Sequence, residues 1–171
     1  MLELGPLIRD VPDFPKKGIL FKDITTLLKN PRAFKQSIDQ LTDLVRELAP
    51  GVVIGMESRG FIFAAPIAYQ LDAGFVPVRK LGKLPGEVIS AEYDLEYGTN
   101  TLELHRDAIA SGDRVLIVDD LLATGGTVSA TIELVERLHG KVVAVAFLVE
   151  LTALKGRDRL QDYDVISLLK F

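Results

Sequence analysis

Three short apolar runs constrain the fold of this chain more than any other feature. Residues 52–56, 114–118 and 142–149 are continuous, apolar and rich in β-branched side chains, the pattern of strands covered on both faces. Helical patterns lie between them. Phe34, Ile38, Leu41, Val45 and Leu48 recur at spacings of four and three, with Pro31 at a first-turn position, and this segment ends near Pro50 and Gly51. A second helix is expected over residues 60–71, where Pro66 either kinks it or marks its early part. A third is expected over residues 127–138, stopped by Gly140 as a left-handed cap. Strands alternating with helices predict an α/β fold, a doubly wound and mainly parallel sheet with helices on both faces.

Two regions depart from that alternation. Residues 89–97 and 99–104 read as two strands around Gly98, an antiparallel excursion. Before them, the basic loop at residues 80–86 contains glycine and proline and is expected to act as a mobile lid, so the lid region spans about residues 80–98. Pro6, Pro12, Pro15 and Pro31 are four of the eight prolines, so roughly the first thirty residues are expected to wrap the core irregularly rather than extend its sheet.

At 171 residues and 48% hydrophobic content, the chain is expected to form one domain over residues 1–171. Its formal net charge of -4 gives no general attraction to nucleic acid or to an anionic membrane, so any bound phosphate needs a local site. With no cysteine, disulfides and thiolate metal sites are excluded. Residues 1–10 carry Glu3 and Asp10 without a basic start and long apolar stretch, and no run reaches the roughly 18 apolar residues of a membrane span. A cytoplasmic location is the resulting expectation.

The stretch Val-Leu-Ile-Val-Asp-Asp-Leu-Leu-Ala-Thr-Gly-Gly-Thr at residues 115–127 carries the chemistry. A buried strand delivers two carboxylates, then a small-residue loop opens a helix. Glycines let backbone N–H groups approach a phosphate, threonine hydroxyls add donors, and the helix start adds unpaired N–H groups. Neither a nucleotide-triphosphate loop nor a Gly-x-Gly-x-x-Gly fingerprint is present. Asp119 and Asp120 would repel a bare anion, whereas a phosphorylated sugar interposes hydroxyls. In glycosyl transfer the ribose ring gains oxocarbenium character, and a carboxylate about 5 Å away offers roughly 3 kcal/mol at an effective dielectric of about 20. The bland alternative is a strand-end turn with an aspartate cap and glycines for close packing.

This motif resembles the phosphoribosyl pyrophosphate (PRPP) motif of the type I phosphoribosyltransferases, in the Leu-Leu-Ala form of the adenine branch. The resemblance implies the type I fold with a small N-terminal hood and an antiparallel lid hairpin. It implies that Ala123, Thr124, Gly125, Gly126 and Thr127 hold the 5-phosphate, that Leu121 also contacts substrate, and that Asp119 and Asp120 approach the ribose hydroxyls. Glu57, Ser58, Arg59 and Gly60 are similar to the family's pyrophosphate loop, in which the peptide before the serine is often strained or cis; the tetrapeptide alone fits equally a capped helix with Glu57 paired to Arg59.

Residues 75–86 and 95–98 resemble the adenine enzymes' active-site loop, which implies pyrophosphate contacts for Arg79, Lys80 and Lys83, an acid/base role near purine N7 for Glu96, and lid packing for Tyr97. Their bland readings are a solvated basic turn, an exposed strand carboxylate and a hairpin aromatic. Residues 18–24 resemble the hood segment, with Phe21 stacked on the purine and the backbone of Leu20 and Lys22 reading its edge. Residues 148–156 match the family pattern with Leu151 as an apolar wall, or form an ordinary strand-to-helix junction. The two histidines, His105 and His139, need no catalytic role, and Gly156 to Arg159 read as a solvated, internally paired turn.

The implied reaction is adenine plus PRPP giving AMP and diphosphate, with Mg2+ held mainly by the substrate rather than by a protein cage. The family is usually homodimeric. The alternatives are a transferase for another purine, or a regulator that binds PRPP without catalysis.

Overall fold

The structure is a computed structural model that describes residues 1–94 and 99–171, with the backbone alone described at residue 94. The pattern of contacts along the chain separates two units, Met1–Gln40 and Leu41–Phe171.

In the first unit, strands β1 (Arg9–Pro12) and β2 (Leu20–Asp23) pair antiparallel as a separate two-stranded sheet. The turn between them contains a cis Phe14–Pro15 bond and is tied by Gly18 N–H donating to Asp13 Oδ1 at 2.7 Å. The proline-rich segment thus stays out of the main sheet, as expected, but it contains two strands that periodicity over so few residues does not reveal. Asp23 ties β2 to the helix that follows. Its carboxylate accepts from the backbone N–H and hydroxyl of Thr25, at the start of helix α1 (Thr25–Lys29), and from Arg9. The Thr25 hydroxyl, followed by Arg9, lowers the Asp23 pKa to about 2. Helix α2 (Pro31–Val45) begins with Pro31 in its first turn, where Asn30 Oδ1 accepts from the N–H groups of Arg32 and Ala33. Ile38, Leu41 and Val45 form its buried stripe.

The second unit is built on a seven-stranded sheet. Its strands are β3 (Val52–Met56), β4 (Gly74–Lys80), β5 (Val88–Asp94), β6 (Thr99–His105), β7 (Arg114–Leu122), β8 (Lys141–Glu150) and β9 (Val165–Lys170), in the order β5-β6-β4-β3-β7-β8-β9. The pairs among β4, β3, β7, β8 and β9 are parallel; β6 pairs antiparallel with both β4 and β5.

Helix α3 (Gly60–Gln70) and helix α4 (Gly126–Arg137) cover opposite faces. Strand residues alternate between faces, and Met56 meets Thr131 of α4 while a side chain at the adjacent Gly55 would strike Ala64 of α3. The α4 face buries Ile54, Ile117, Val145 and Phe147 with Leu134 and Val135. Beneath α3 lie Val53, Leu116 and Val118.

Helix α3 contains Pro66 in its interior. One detail differs from the sequence reading. The left-handed residue after α4 is His139 (φ 61°), not Gly140; Gly140 is needed because a Cβ there would come within 2.9 Å of both Val135 and Ile109. Close approach, not a positive φ, explains that glycine.

Candidate active site

The loops after β3 and β7 emerge side by side, because these two strands are parallel neighbours at the centre of the sheet. That is where open α/β sheets place ligands: strand β3 connects to β4 on one side while β7 lies on the other, so the chain's direction of winding reverses there.

Strand β7 extends through Leu122, so the two carboxylates stand in the last turns of a strand rather than in the loop. Period-two alternation then separates their tasks. Asp119 lines a cavity of about 70 Å³ under the following loop, and Asp120 turns to Arg59, whose Nε lies 2.8 Å from Oδ2. Asp120 Oδ2 is buried and makes no hydrogen bond. The contact is an ion pair between a buried carboxylate and a half-exposed guanidinium. Burial raises the pKa of both carboxyls. For Asp119 the neighbouring Asp120 charge adds to the rise; for Asp120 the Arg59 guanidinium opposes it.

The loop itself is shaped by close backbone approach. Gly125 adopts φ 84° as the residue before α4, so the first turn of that helix points its free N–H groups over the cavity, whose floor is Met56 and Phe147. Gly60, the first residue of α3, has the same necessity from the other side: a Cβ there would lie 2.8 Å from Asp119 Oδ1 and 3.0 Å from the Val118 carbonyl. The start of α3 can pack on the carboxylate only because Gly60 has no side chain.

The loop after β3 is organised differently. The Glu57–Ser58 peptide is cis, and Ser58 is exposed and makes no side-chain cap on α3. Glu57 does not pair with Arg59. It accepts from Arg79 Nε and Nη2, each at 3.2 Å, and from Lys80 N–H at 3.0 Å. These bonds, Arg79 first, hold the Glu57 carboxyl below its ordinary pKa. Arg79 Nη1 also donates to the Lys83 carbonyl at 3.1 Å, so one guanidinium joins the β3 loop to the basic loop. Lys80 and Lys83 are exposed.

Other expected site residues are placed as follows. Leu20, Phe21 and Lys22 form β2 of the first unit, where Phe21 meets Phe14 edge to face at 5.1 Å and Lys22 Nζ donates to Asp10. Leu151 follows β8 and donates its N–H to the Leu122 carbonyl at 2.9 Å, which fixes it at the end of the phosphate-loop strand. Glu96 and Tyr97 lie outside the described residues.

Glu103, buried on β6, accepts from Gly82 N–H at 2.8 Å and anchors the basic loop; its place in an apparently ordinary alternating strand gave no signal. Arg157 was read as solvated. The structure shows it bidentate on buried Glu150 at 2.7 and 2.8 Å, which leaves only part of its side chain open to water.

Two adjacent strand-loop-helix turns, one with buried carboxylates and one with a paired guanidinium, form a site for a phosphorylated, polyhydroxylated anion. A family model for the phosphoribosyl transferase domain matches residues 23–170. A protein of Solibacter usitatus named adenine phosphoribosyltransferase is 60% identical over 171 residues, covering 100% of this chain and 99% of its own. The chain belongs to the adenine phosphoribosyltransferase family. Solved structures agree. The adenine phosphoribosyltransferase of Thermoanaerobacter pseudethanolicus superposes with a TM-score of 0.96 at 56% identity, covering 98% of each chain. The Saccharomyces cerevisiae adenine phosphoribosyltransferase, solved with an imino-altritol bisphosphate and adenine, does so with a TM-score of 0.93 at 42% identity, covering 96% of each. The expected α/β fold of this family, with its mainly parallel sheet flanked by helices, is therefore the observed one.

Proposed function

We propose that the chain transfers the 5-phosphoribosyl group of PRPP to adenine, giving AMP and diphosphate in purine salvage. The observation that carries this reading is the pair of adjacent strand-end carboxylates, Asp119 lining the phosphate cavity and Asp120 held against Arg59 beside it. A phosphate seated against the first turn of α4 would bring ribose hydroxyls to Asp119 and Asp120.

The C1–O bond to diphosphate breaks with its electron pair leaving on diphosphate, and adenine N9 forms the new bond from the opposite face. Positive charge grows on the ring as the old bond lengthens. The fixed carboxylates oppose that charge without reorganising, each by roughly 3 kcal/mol at about 5 Å. Glu96 takes the proton released from the imidazole ring of the base near N7. Arg59, Arg79, Lys80 and Lys83, with Ser58, receive the diphosphate while Glu57, which holds Arg79 beforehand, borders the same site, and a closed lid carrying Tyr97 excludes water. Phe21 stacks on adenine while the main chain of Leu20 and Lys22 reads its edge, with Leu151 as an apolar wall.

Mg2+ fits this arrangement as a passenger of PRPP. No group of three or more acidic or histidine ligands occurs among the described residues, whereas two carboxylates suit an ion whose other ligands are substrate oxygens and water. Bound there, it would neutralise charge on the departing diphosphate.

We further place the chain in the cytoplasm, acting as one domain and as a homodimer. The dimer reading is supported by α3, which is apolar on nearly every side and leaves Ile62 and Tyr69 exposed, with Phe75 exposed beside it. The absence of cysteine suits a reducing compartment.

A panel of purines with PRPP and Mg2+, read by nucleotide product, tests the reaction. AMP from adenine is expected. Product from hypoxanthine or guanine but not from adenine would favour a different purine acceptor; PRPP binding without diphosphate release from any purine would favour a regulator.

A further inference from the structure

The turn at Gly156–Arg159 abuts the phosphate loop with backbone against backbone. A Cβ at Gly125 would stand 2.8 Å from the Gly156 carbonyl oxygen, and a Cβ at Gly156 would overlap the Ala123 carbonyl and come within 2.9 Å of Leu122 Cδ1. Backbone meets backbone here, with only carbons of Leu122 and Arg159 beside the contact, so a shift of one loop displaces the other.

What fixes the outer turn is Arg157. Its Nε and Nη2 hold Glu150 Oε1 and Oε2, its Nη1 donates to the Val165 carbonyl at 2.8 Å, and Nη2 also reaches Ser167 Oγ at 3.3 Å. Glu150 ends β8, while Val165 and Ser167 belong to β9. One planar guanidinium therefore locks the turn to two strands in a geometry that an ammonium cannot reproduce.

We propose that Arg157 is a positioning residue for the phosphate loop: through Gly156 it sets where Ala123 and Gly125 stand, and hence how tightly the 5-phosphate is held. The proposal rests on the phosphoribosyl reading of that loop. Arg157 itself touches no substrate. Its effect should fall on ligands that carry the 5-phosphate and spare the base.

Arg157→Lys keeps the charge and loses the fork. Relative to the unsubstituted chain, it should raise the KM for PRPP and the Kd for ribose 5-phosphate about tenfold, because small displacements of a positioned group have large effects. The KM for adenine should stay within about twofold. Gly156→Ala perturbs the same contact with the ion pair intact and should give the same split. Ribose 5-phosphate binding by calorimetry, with thermal unfolding recorded in parallel, separates positioning from mere stability. A lowered Tm in Arg157→Lys with ribose 5-phosphate affinity unchanged would overturn the proposal, as would equal losses for both substrates. Failure of the unsubstituted chain to form AMP would defeat the proposed reaction instead, and the ribose 5-phosphate titration would still decide the role of Arg157.

Discussion

The loops after β3 and β7 have the same plan, a central parallel strand turning into a helix, yet they hold their charges in opposite states. After β7 the carboxylates are desolvated, their pKa values are raised, and one buried oxygen has no hydrogen bond. After β3 the carboxylate of Glu57 is satisfied by Arg79 and Lys80, and its pKa is lowered. The first loop holds buried carboxylates beside a cavity. The second has cations that must share or exchange partners when an anion arrives. On the proposed reading, one loop is prepared for charge that appears during reaction, and the other for a charged group that comes and goes.

The largest expected effect comes from neutralising the first loop. Asp119→Asn with Asp120→Asn should lower kcat by about 100-fold or more while changing AMP affinity much less, as measured by AMP formation and calorimetry. Equal losses in the two would remove transition-state charge stabilisation from the account.

Next is the shape of that loop. Gly125→Ala forces a side chain into φ 84° and against the Gly156 carbonyl, so ribose 5-phosphate binding should weaken by about tenfold, a loss of roughly 1.4 kcal/mol. Unchanged affinity would mean that the phosphate does not sit there.

A smaller effect tests the second loop. If Glu57 competes with diphosphate for Arg79, Glu57→Gln should tighten diphosphate binding by about threefold, on the scale of one partly exposed ion pair. Weaker binding would show that the carboxylate supports the anion site instead.

The smallest effect is on stability. Burial raises the folded-state pKa of Asp119, so protonation favours the fold; this contribution is complete below the unfolded value of 3.8 and is lost as pH rises through the folded value. Asp119→Asn should therefore raise Tm at pH 8 by about 2 °C, with the gain vanishing near pH 4. A lower Tm at pH 8 would contradict the strain assigned to the pair.

Legibility in the sequence followed the range of the interactions. Strand β3 was read to the residue, because its continuous apolar run is local information. The strand, carboxylates and helix start at residues 115–127 were legible because they are contiguous, and the structure brings Arg59 to Asp120 because β3 and β7 are neighbours. What escaped was set by contacts between distant segments. Arg157 looked solvated because Val165 and Ser167 meet it only once β8 and β9 pair. Glu57 chose Arg79 over the nearby Arg59 because β4 lies next to β3. The hairpin of β1 and β2 was hidden by prolines that a small edge sheet tolerates.

The division of labour between the two loops is tested most directly by titrating ribose 5-phosphate into protein already saturated with magnesium diphosphate. Separate receptors predict one ribose 5-phosphate bound per chain, with diphosphate retained and the affinity undiminished. Displacement of one anion by the other would contradict the account, because it would place both phosphates in a single site.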